Sequence, residues 1–195
     1  MKLIVVRHGE TEENAKRMLM GHMHGTLSGK GRLQAKKIAL RLRNTKIDRV
    51  FSSDLMRARR TTEEIVRYHN VPLVYTKELR EQNYGVLQGR HLDYLLAAMK
   101  RTRKSRLRYR PKRGESIMDM KIRVGKFVRS LNKKKEYKNE TLLISAHAGI
   151  AWVIFSMYGH VPLAKAMKMH PKNTGLFTVE INDKGSKIIE DRMFK

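Results

Sequence analysis

The chain has 195 residues, 41% hydrophobic and 31% charged, and its 43 lysines and arginines against 18 acids give a formal net charge of +25. That length suits one well-buried core and does not require a second. Cysteine is absent, which excludes disulfides, thiolate catalysis and cysteine-held metals, while the charge implies attraction to phosphorylated metabolites, polyanions and acidic surfaces.

The apolar runs are too short to span a membrane. The first residues offer one lysine and then four apolar positions, which is no secretory signal. The expectation is a cytoplasmic protein with no membrane partner.

Leu3 to Val6 is apolar and rich in β-branched residues, so it predicts a buried strand. It delivers Arg7, His8 and Gly9 at its carboxyl end, where open α/β sheets bind ligands, and a glycine there lets an anion approach the backbone. Residues 12–28 read as a loop with one helical turn. His22 and His24 within it read as an exposed loop pair rather than metal ligands, and no metal site is expected. From Ser28 onward, Leu33, Ile38, Ala39 and Leu42 recur at helical spacing between basic residues.

Ile47 to Ser52 returns to strand character and runs into Ser53 and Asp54, either of which could cap the next helix. Arg57 lies in that helix's first turn. A weaker strand follows at Leu73–Tyr75, then an irregular segment, 78–90, containing Glu81, then a helical pattern at 91–99. Residues 100–113 hold nine bases among fourteen and no acid. A helix opens at Gly114-Glu115-Ser116. The strand Thr141–Ala146 ends in His147-Ala148-Gly149, and residues 148–158 are again helical. Two strands flanking Asn182-Asp183-Lys184-Gly185 form a hairpin. The alternation predicts a single α/β domain over 1–195: a mostly parallel central sheet, an antiparallel edge strand, helices on both faces, and a short basic cap insertion at about 91–116.

Two strands thus end in histidine, and a third leads into an arginine. RHGETEEN, SSDLMRARRT, LREQNYGVLQG, GES and SAHAG, in that order, resemble the motifs of the histidine phosphatase superfamily, which includes cofactor-dependent phosphoglycerate mutases. The resemblance spans nearly the whole chain. It implies a two-step phosphoryl transfer in which His8 attacks phosphorus. Arg7, Arg57, Asn14 and His147, the last as an imidazolium, would hold the phosphate. Glu81 would protonate the leaving oxygen and then activate water. Gly21, Ala148 and Arg113 complete the expected substrate contacts. No cofactor and no metal is implied, because the cationic side chains supply the positive charge. Two positions depart from the family pattern: Met20 stands where relatives usually carry a polar residue, and Ala148 replaces a more usual glycine. Glu115 and Ser116 are divided between capping the following helix and facing substrate.

The resemblance leaves three functions to weigh. Mutase relatives usually carry a longer insert with paired arginines and a tryptophan, whereas here the insert is short and Trp152 lies outside it. A metal-independent phosphomonoester hydrolase acting on a small anionic phosphorylated substrate is therefore preferred, with a phosphoglycerate mutase as the alternative. The basic run is either a solvated segment or an anion-steering one using Arg108, Arg110, Lys112 or Arg113. The second alternative is a polyanion- or nucleic-acid-binding protein using the basic run; a nucleic-acid partner is not expected, because Tyr109 is the only aromatic residue in that run. The oligomeric state is left open, a homodimer included.

Overall fold

The computed structural model describes residues 1–194. Strand β1 (Lys2–Arg7) is the pivot of the sheet, because every apolar residue of Leu3–Val6 is buried. Such a strand needs cover on both faces and neighbours on both edges. The parallel strand β4 (Thr141–Ala146) lies on one edge and the antiparallel strand β5 (Leu176–Asn182) on the other. Beyond β4 come β2 (Arg49–Ser53) and β3 (Leu73–Thr76), both parallel. Beyond β5 comes β6 (Gly185–Asp191), its hairpin partner. The order is β3-β2-β4-β1-β5-β6, so the antiparallel element is a hairpin appended to four parallel strands.

The period-2 alternation of a strand divides β1 between two cores. Ile4 and Val6 pack with Ile38, Ala39 and Leu42 of α2 (Gly29–Leu42) and Ile65 of α3 (Met56–Val66). Leu3 and Val5 pack with Met120, Val124 and Val128 of α5 (Ile117–Asn132) and with Ile150 and Ile154 of α6 (Ala148–Tyr158). Helices therefore cover both faces, as expected. Among the described residues no helix is long and apolar enough to cross a membrane.

The remaining helices are α1 (Glu12–Ala15), α4 (Leu92–Thr102) and α7 (Leu163–Ala166). The segment carrying Glu81 is two 3-10 turns, Lys77–Leu79 and Gly85–Leu87, joined by extended chain. Above it α4 packs Leu95 and Ala98 against Leu19 and Tyr109 in a small separate cluster.

The start of α3 differs from the sequence expectation. Its N-cap is Leu55, with no side-chain cap. Ser53 Oγ instead accepts the Leu55 N–H at 3.3 Å, and Asp54 accepts two bonds from the Arg80 guanidinium. Ser53 also meets His147 and Asp54 is held by Arg80, so neither side chain is left to cap the helix. Ser28 does cap α2, accepting the Gly31 N–H at 3.0 Å.

Candidate active site

Parallel pairing of β1 with β4 sets Arg7 opposite Ala146, so His8 and His147 leave the sheet side by side. Their rings are 5.1 Å apart between centroids at an interplanar angle of 62°, and both are buried, at 3% and 1% exposure.

The His8 tautomer follows from its neighbour. Nδ1 lies 2.7 Å from the Gly9 carbonyl, an oxygen that can only accept, so Nδ1 carries the proton and Nε2 keeps its lone pair. Burial, then the charges of Arg57 and Arg7, hold the imidazole well below its ordinary pKa. His8 is a neutral base at physiological pH. Its loop is fixed from three sides: the His8 N–H donates to Ala146 O at 3.0 Å, Gly9 N–H to Thr61 Oγ1 at 3.1 Å, and Asn173 Nδ2 to His8 O at 3.1 Å.

Gly9 also has a packing reason. A Cβ there would stand 2.5 Å from Gly31 O, and one on Gly31 would stand 1.9 Å from Glu10 O. The two glycines let the start of α2 dock against the loop after β1, so packing requires them.

His147 is locked from behind. Its Nε2 is 2.8 Å from Ser53 Oγ, and the Ser53 hydroxyl has no other acceptor among the described residues. Taking that proton on Nε2 leaves one on Nδ1, and Nδ1 is buried without a partner among the described residues. Burial, then Arg57, keep this imidazole neutral as well. That differs from the imidazolium expected from sequence, although a phosphate dianion alongside would act in the opposite direction.

Arg57 is 2% exposed. Its Nη2 donates to Gly21 O at 2.9 Å and its Nη1 to the Met23 and His24 carbonyls. Burial brings its pKa down to about 10, opposed by Glu81 and Glu13, so the charge persists at neutral pH. Gly21 thus enters the site through its carbonyl, at φ +49°. Arg7 is tied through Nη1 to Pro171 O, and its Nε is buried without a partner among the described residues, as is Asn14 Oδ1. Arg7 Nε and His147 Nδ1, two orphaned donors, belong to residues expected to grip phosphate. Orphans of this kind are rare and call for a ligand or a water. Met20 is buried at 7% exposure.

Glu81 is brought to the same pocket from the irregular segment. Its Oε1 accepts the Gln82 N–H at 2.9 Å and its Oε2 the Gly149 N–H at 3.1 Å. The second bond places the carboxyl at the N-terminal turn of α6, beside His147 and Ala148, where backbone donors and the helix dipole favour an oxygen acceptor. A Cβ on Gly149 would stand 2.2 Å from Glu81 Oε1. The Glu81 carbonyl is held by His22 Nε2 at 3.0 Å. His22 is therefore half-buried behind the acid, not an exposed loop residue, and burial lowers its pKa. His24 is exposed and accepts the Met56 N–H.

Glu115 and Ser116 divide their roles. Ser116 caps α5 in a capping box with Asp119, while Glu115 pairs with Arg123 at 2.6 Å and accepts the Asn83 N–H at 3.0 Å, bracing the acid-bearing segment. Arg113 stands exposed in a turn at φ +58°, with no hydrogen bond among the described residues joining its side chain to the groups around His8. Arg108 and Lys112 are exposed too, and Arg110 pairs with Asp119. No cluster of three or more His, Cys, Asp or Glu suited to a metal occurs among the described residues.

Sequence reasoning assigned no site role to Ser53, Thr61, Gln82, Tyr84, Arg106 or Asn173. Only Thr61 carried a legible signal: four residues after Arg57, it shares that residue's helix face, and its hydroxyl donates to Arg57 O at 2.9 Å.

Comparison with known proteins bears on the family and the fold. The profile of the histidine phosphatase superfamily (branch 1) matches residues 3–191. A Shigella boydii protein named probable phosphoglycerate mutase GpmB is 29% identical over 187 residues, 94% of this chain and 86% of that protein. Among solved structures, the alpha-ribazole phosphatase of Shigella flexneri superposes with a TM-score of 0.87 at 24% identity, covering 98% of this chain and 96% of its own. A mycobacterial glucosyl-3-phosphoglycerate phosphatase superposes with a TM-score of 0.83 at 20% identity, covering 98% of each chain. The chain belongs to the histidine phosphatase superfamily, branch 1.

Proposed function

We propose that the protein is a phosphomonoester hydrolase working through a phosphohistidine, with His8 as nucleophile and Glu81 as acid and base. The observation that carries this reading is the fixed tautomer of His8, whose proton is held by Gly9 O so that a neutral Nε2 is left to attack. In the first step Nε2 bonds to phosphorus, the ester P–O bond breaks, and the leaving oxygen takes the Glu81 proton. In the second, a water gives its proton to the Glu81 carboxylate and attacks phosphorus. The P–N bond then breaks and inorganic phosphate leaves.

Little covalent work falls to the protein beyond this, since phosphoryl transfer depends chiefly on positioning and charge. Arg7 and Arg57 supply that charge as buried guanidiniums, and His147 Nδ1–H supplies a further donor. These groups meet the need for positive charge without a metal. Asn14 and the backbone at Gly21 and Ala148 complete the phosphate surroundings. Against transfer to a second substrate stands the short insert, because a mutase must keep water from the phosphohistidine. Arg113, exposed in its turn, stays a proposed substrate contact.

The mutase reading is favoured by one observation, the name of the 29%-identical relative. A single experiment separates the two. Turnover of p-nitrophenyl phosphate without added metal is measured beside interconversion of 3- and 2-phosphoglycerate. Hydrolysis with little interconversion is expected, and His8→Ala should abolish it. Hydrolysis surviving that substitution refutes the assignment, and interconversion outpacing hydrolysis moves it to the mutase.

A further inference from the structure

The loop between α7 and β5 grips Arg7 and His8 from several atoms at once. Pro171 O accepts from Arg7 Nη1, and Gly175 O accepts the Arg7 N–H at 3.2 Å. The Thr174 N–H donates to Arg7 O at 3.0 Å and, more weakly, to His8 O at 3.4 Å. Asn173 Nδ2 donates to His8 O at 3.1 Å. The antiparallel ladder of β1 with β5 runs as far as Val6 opposite Leu176. Its next pair would be Arg7 and Gly175, but the Gly175 N–H turns back to Lys172 O at 3.0 Å. The ladder therefore gives way to a four-residue turn, 172–175.

That turn is built against local preference. Its third residue, Thr174, lies at φ +52°, a left-handed conformation that such turns reserve for glycine or asparagine. A β-branched side chain is strained there, and among the described residues Thr174 is the only β-branched one with a positive φ. Asparagine stands one place too early and glycine one place too late. Contacts outside the turn hold each where it is. A Cβ on Gly175 would stand 2.8 Å from Met193 Cα, so glycine is needed at 175. Asn173 is the residue whose amide reaches His8 O. Strain of this kind persists only where the surroundings over-determine the backbone, and it gathers at functional sites.

The peptide linking His8 to Gly9 shows what the strained turn achieves. Its carbonyl is held by Asn173 and its N–H by Thr61 Oγ1 at 3.1 Å, so its plane is fixed at both ends. The next carbonyl, Gly9 O, keeps the proton on His8 Nδ1 at 2.7 Å. Glycine is the most pliable residue of a chain, so Gly9 O stays in place only if the peptide before it does. We infer that Asn173 is a positioning residue for the nucleophile: by holding the His8–Gly9 peptide it keeps Gly9 O on Nδ1 and leaves Nε2 aimed at phosphorus. This deepens the hydrolase reading above and rests on it. Asn173 acts from a loop more than 160 residues away in sequence, through the backbone of His8 and without touching the substrate.

Two readouts taken together test it: steady-state hydrolysis of p-nitrophenyl phosphate, and the ring-nitrogen NMR signals of the histidines at pH 7.5, those of His8 assigned by their loss in His8→Gln. The unmodified protein should show His8 as the single Nδ1–H tautomer. Asn173→Leu, of similar shape but without a donor, should lower kcat by about ten- to a hundredfold with KM little changed. The same substitution should turn the His8 signals into those of a tautomer mixture. Asn173→Gln keeps the amide on a longer arm and should recover part of both. Where Asn173→Leu does not fold, Asn173→Gln carries the test, with smaller losses of kcat and of the single tautomer appearing together. A kcat unmoved by either substitution overturns the inference and leaves the hydrolase intact. So does a kcat that falls with the melting temperature while the His8 signals stay as they were. A change of tautomer in Asn173→Leu, in a protein whose hydrolysis survives His8→Ala, supports the hold on His8 and overturns the hydrolase reading.

Discussion

His8 and His147 are two imidazoles kept neutral chiefly by burial, and that has a consequence for stability. In the unfolded chain each would take up a proton near its ordinary pKa of 6.5. Below that pH the unfolded state therefore binds more protons than the native one, and stability falls as pH falls. Each histidine contributes a slope of up to about 1.4 kcal/mol per pH unit until its folded pKa is reached. Thermal denaturation from pH 7.5 down to 5 should show a steady loss below pH 6.5, shallower in His8→Gln. A flat profile across that window would contradict neutral burial. Phosphate should oppose the loss, because an anion favours the charged form of His147. Much of this chemistry was legible in sequence. Arg7, His8, Arg57, Glu81 and His147 each sit in a motif of fixed order, and each reaches the pocket. What was not legible were the partners that fix them. Ser53 looked like a helix cap, and Asn173 sits in a loop without pattern, yet one meets His147 and the other His8 across long sequence separations. A side chain's partner across the fold leaves no periodic trace in the sequence.

At the level of elements, the site depends on how closely α6 approaches the acid-bearing segment. Gly149 makes that approach possible, since a Cβ would fall 2.2 Å from Glu81 Oε1 and 2.8 Å from Met120 Cε. Gly149→Ala should cost about 1–3 kcal/mol through overpacking. By displacing the acid it should lower kcat by about a hundredfold. Melting temperature and steady-state kinetics on one preparation check both effects; a variant that loses stability but keeps kcat would show that Glu81 tolerates displacement. The strands and long helices were readable because each is an apolar run or an amphipathic repeat. The irregular segment around Glu81 was readable only as irregular. Its shape comes from Arg123 of α5, Glu115 just before that helix and His22 of the loop after α1, with Gln82 of the segment itself reaching back to Glu115, and no local propensity encodes such a grip.

Across the whole molecule the 43 bases outnumber the 18 acids, so most bases can find no acidic partner and the folded state repels itself. Raising the ionic strength from about 10 to about 150 mM shortens the screening length from about 30 to about 8 Å. Two opposite responses should follow. The melting temperature should rise by several degrees as repulsion is screened. The kcat/KM for an anionic phosphomonoester should fall several-fold as attraction is screened. Melting curves and initial rates across a salt series test the pair, and a kcat/KM indifferent to salt would mean that the charge plays no part in substrate capture.

The position of β1 in the sheet also governs when the enzyme comes into being. Its neighbours are residues 141–146 on one edge and 176–180 on the other, so β1, synthesised before the other five strands of its sheet, waits for partners well over a hundred residues later. Contacts so distant in sequence form slowly. Until they form, an apolar Leu-Ile-Val-Val segment is unpaired and prone to association. His8 and His147 cannot meet before then. Recovery of activity during refolding should therefore coincide with the insertion of β1 between β4 and β5, which makes the first turnover a clock for completion of the sheet.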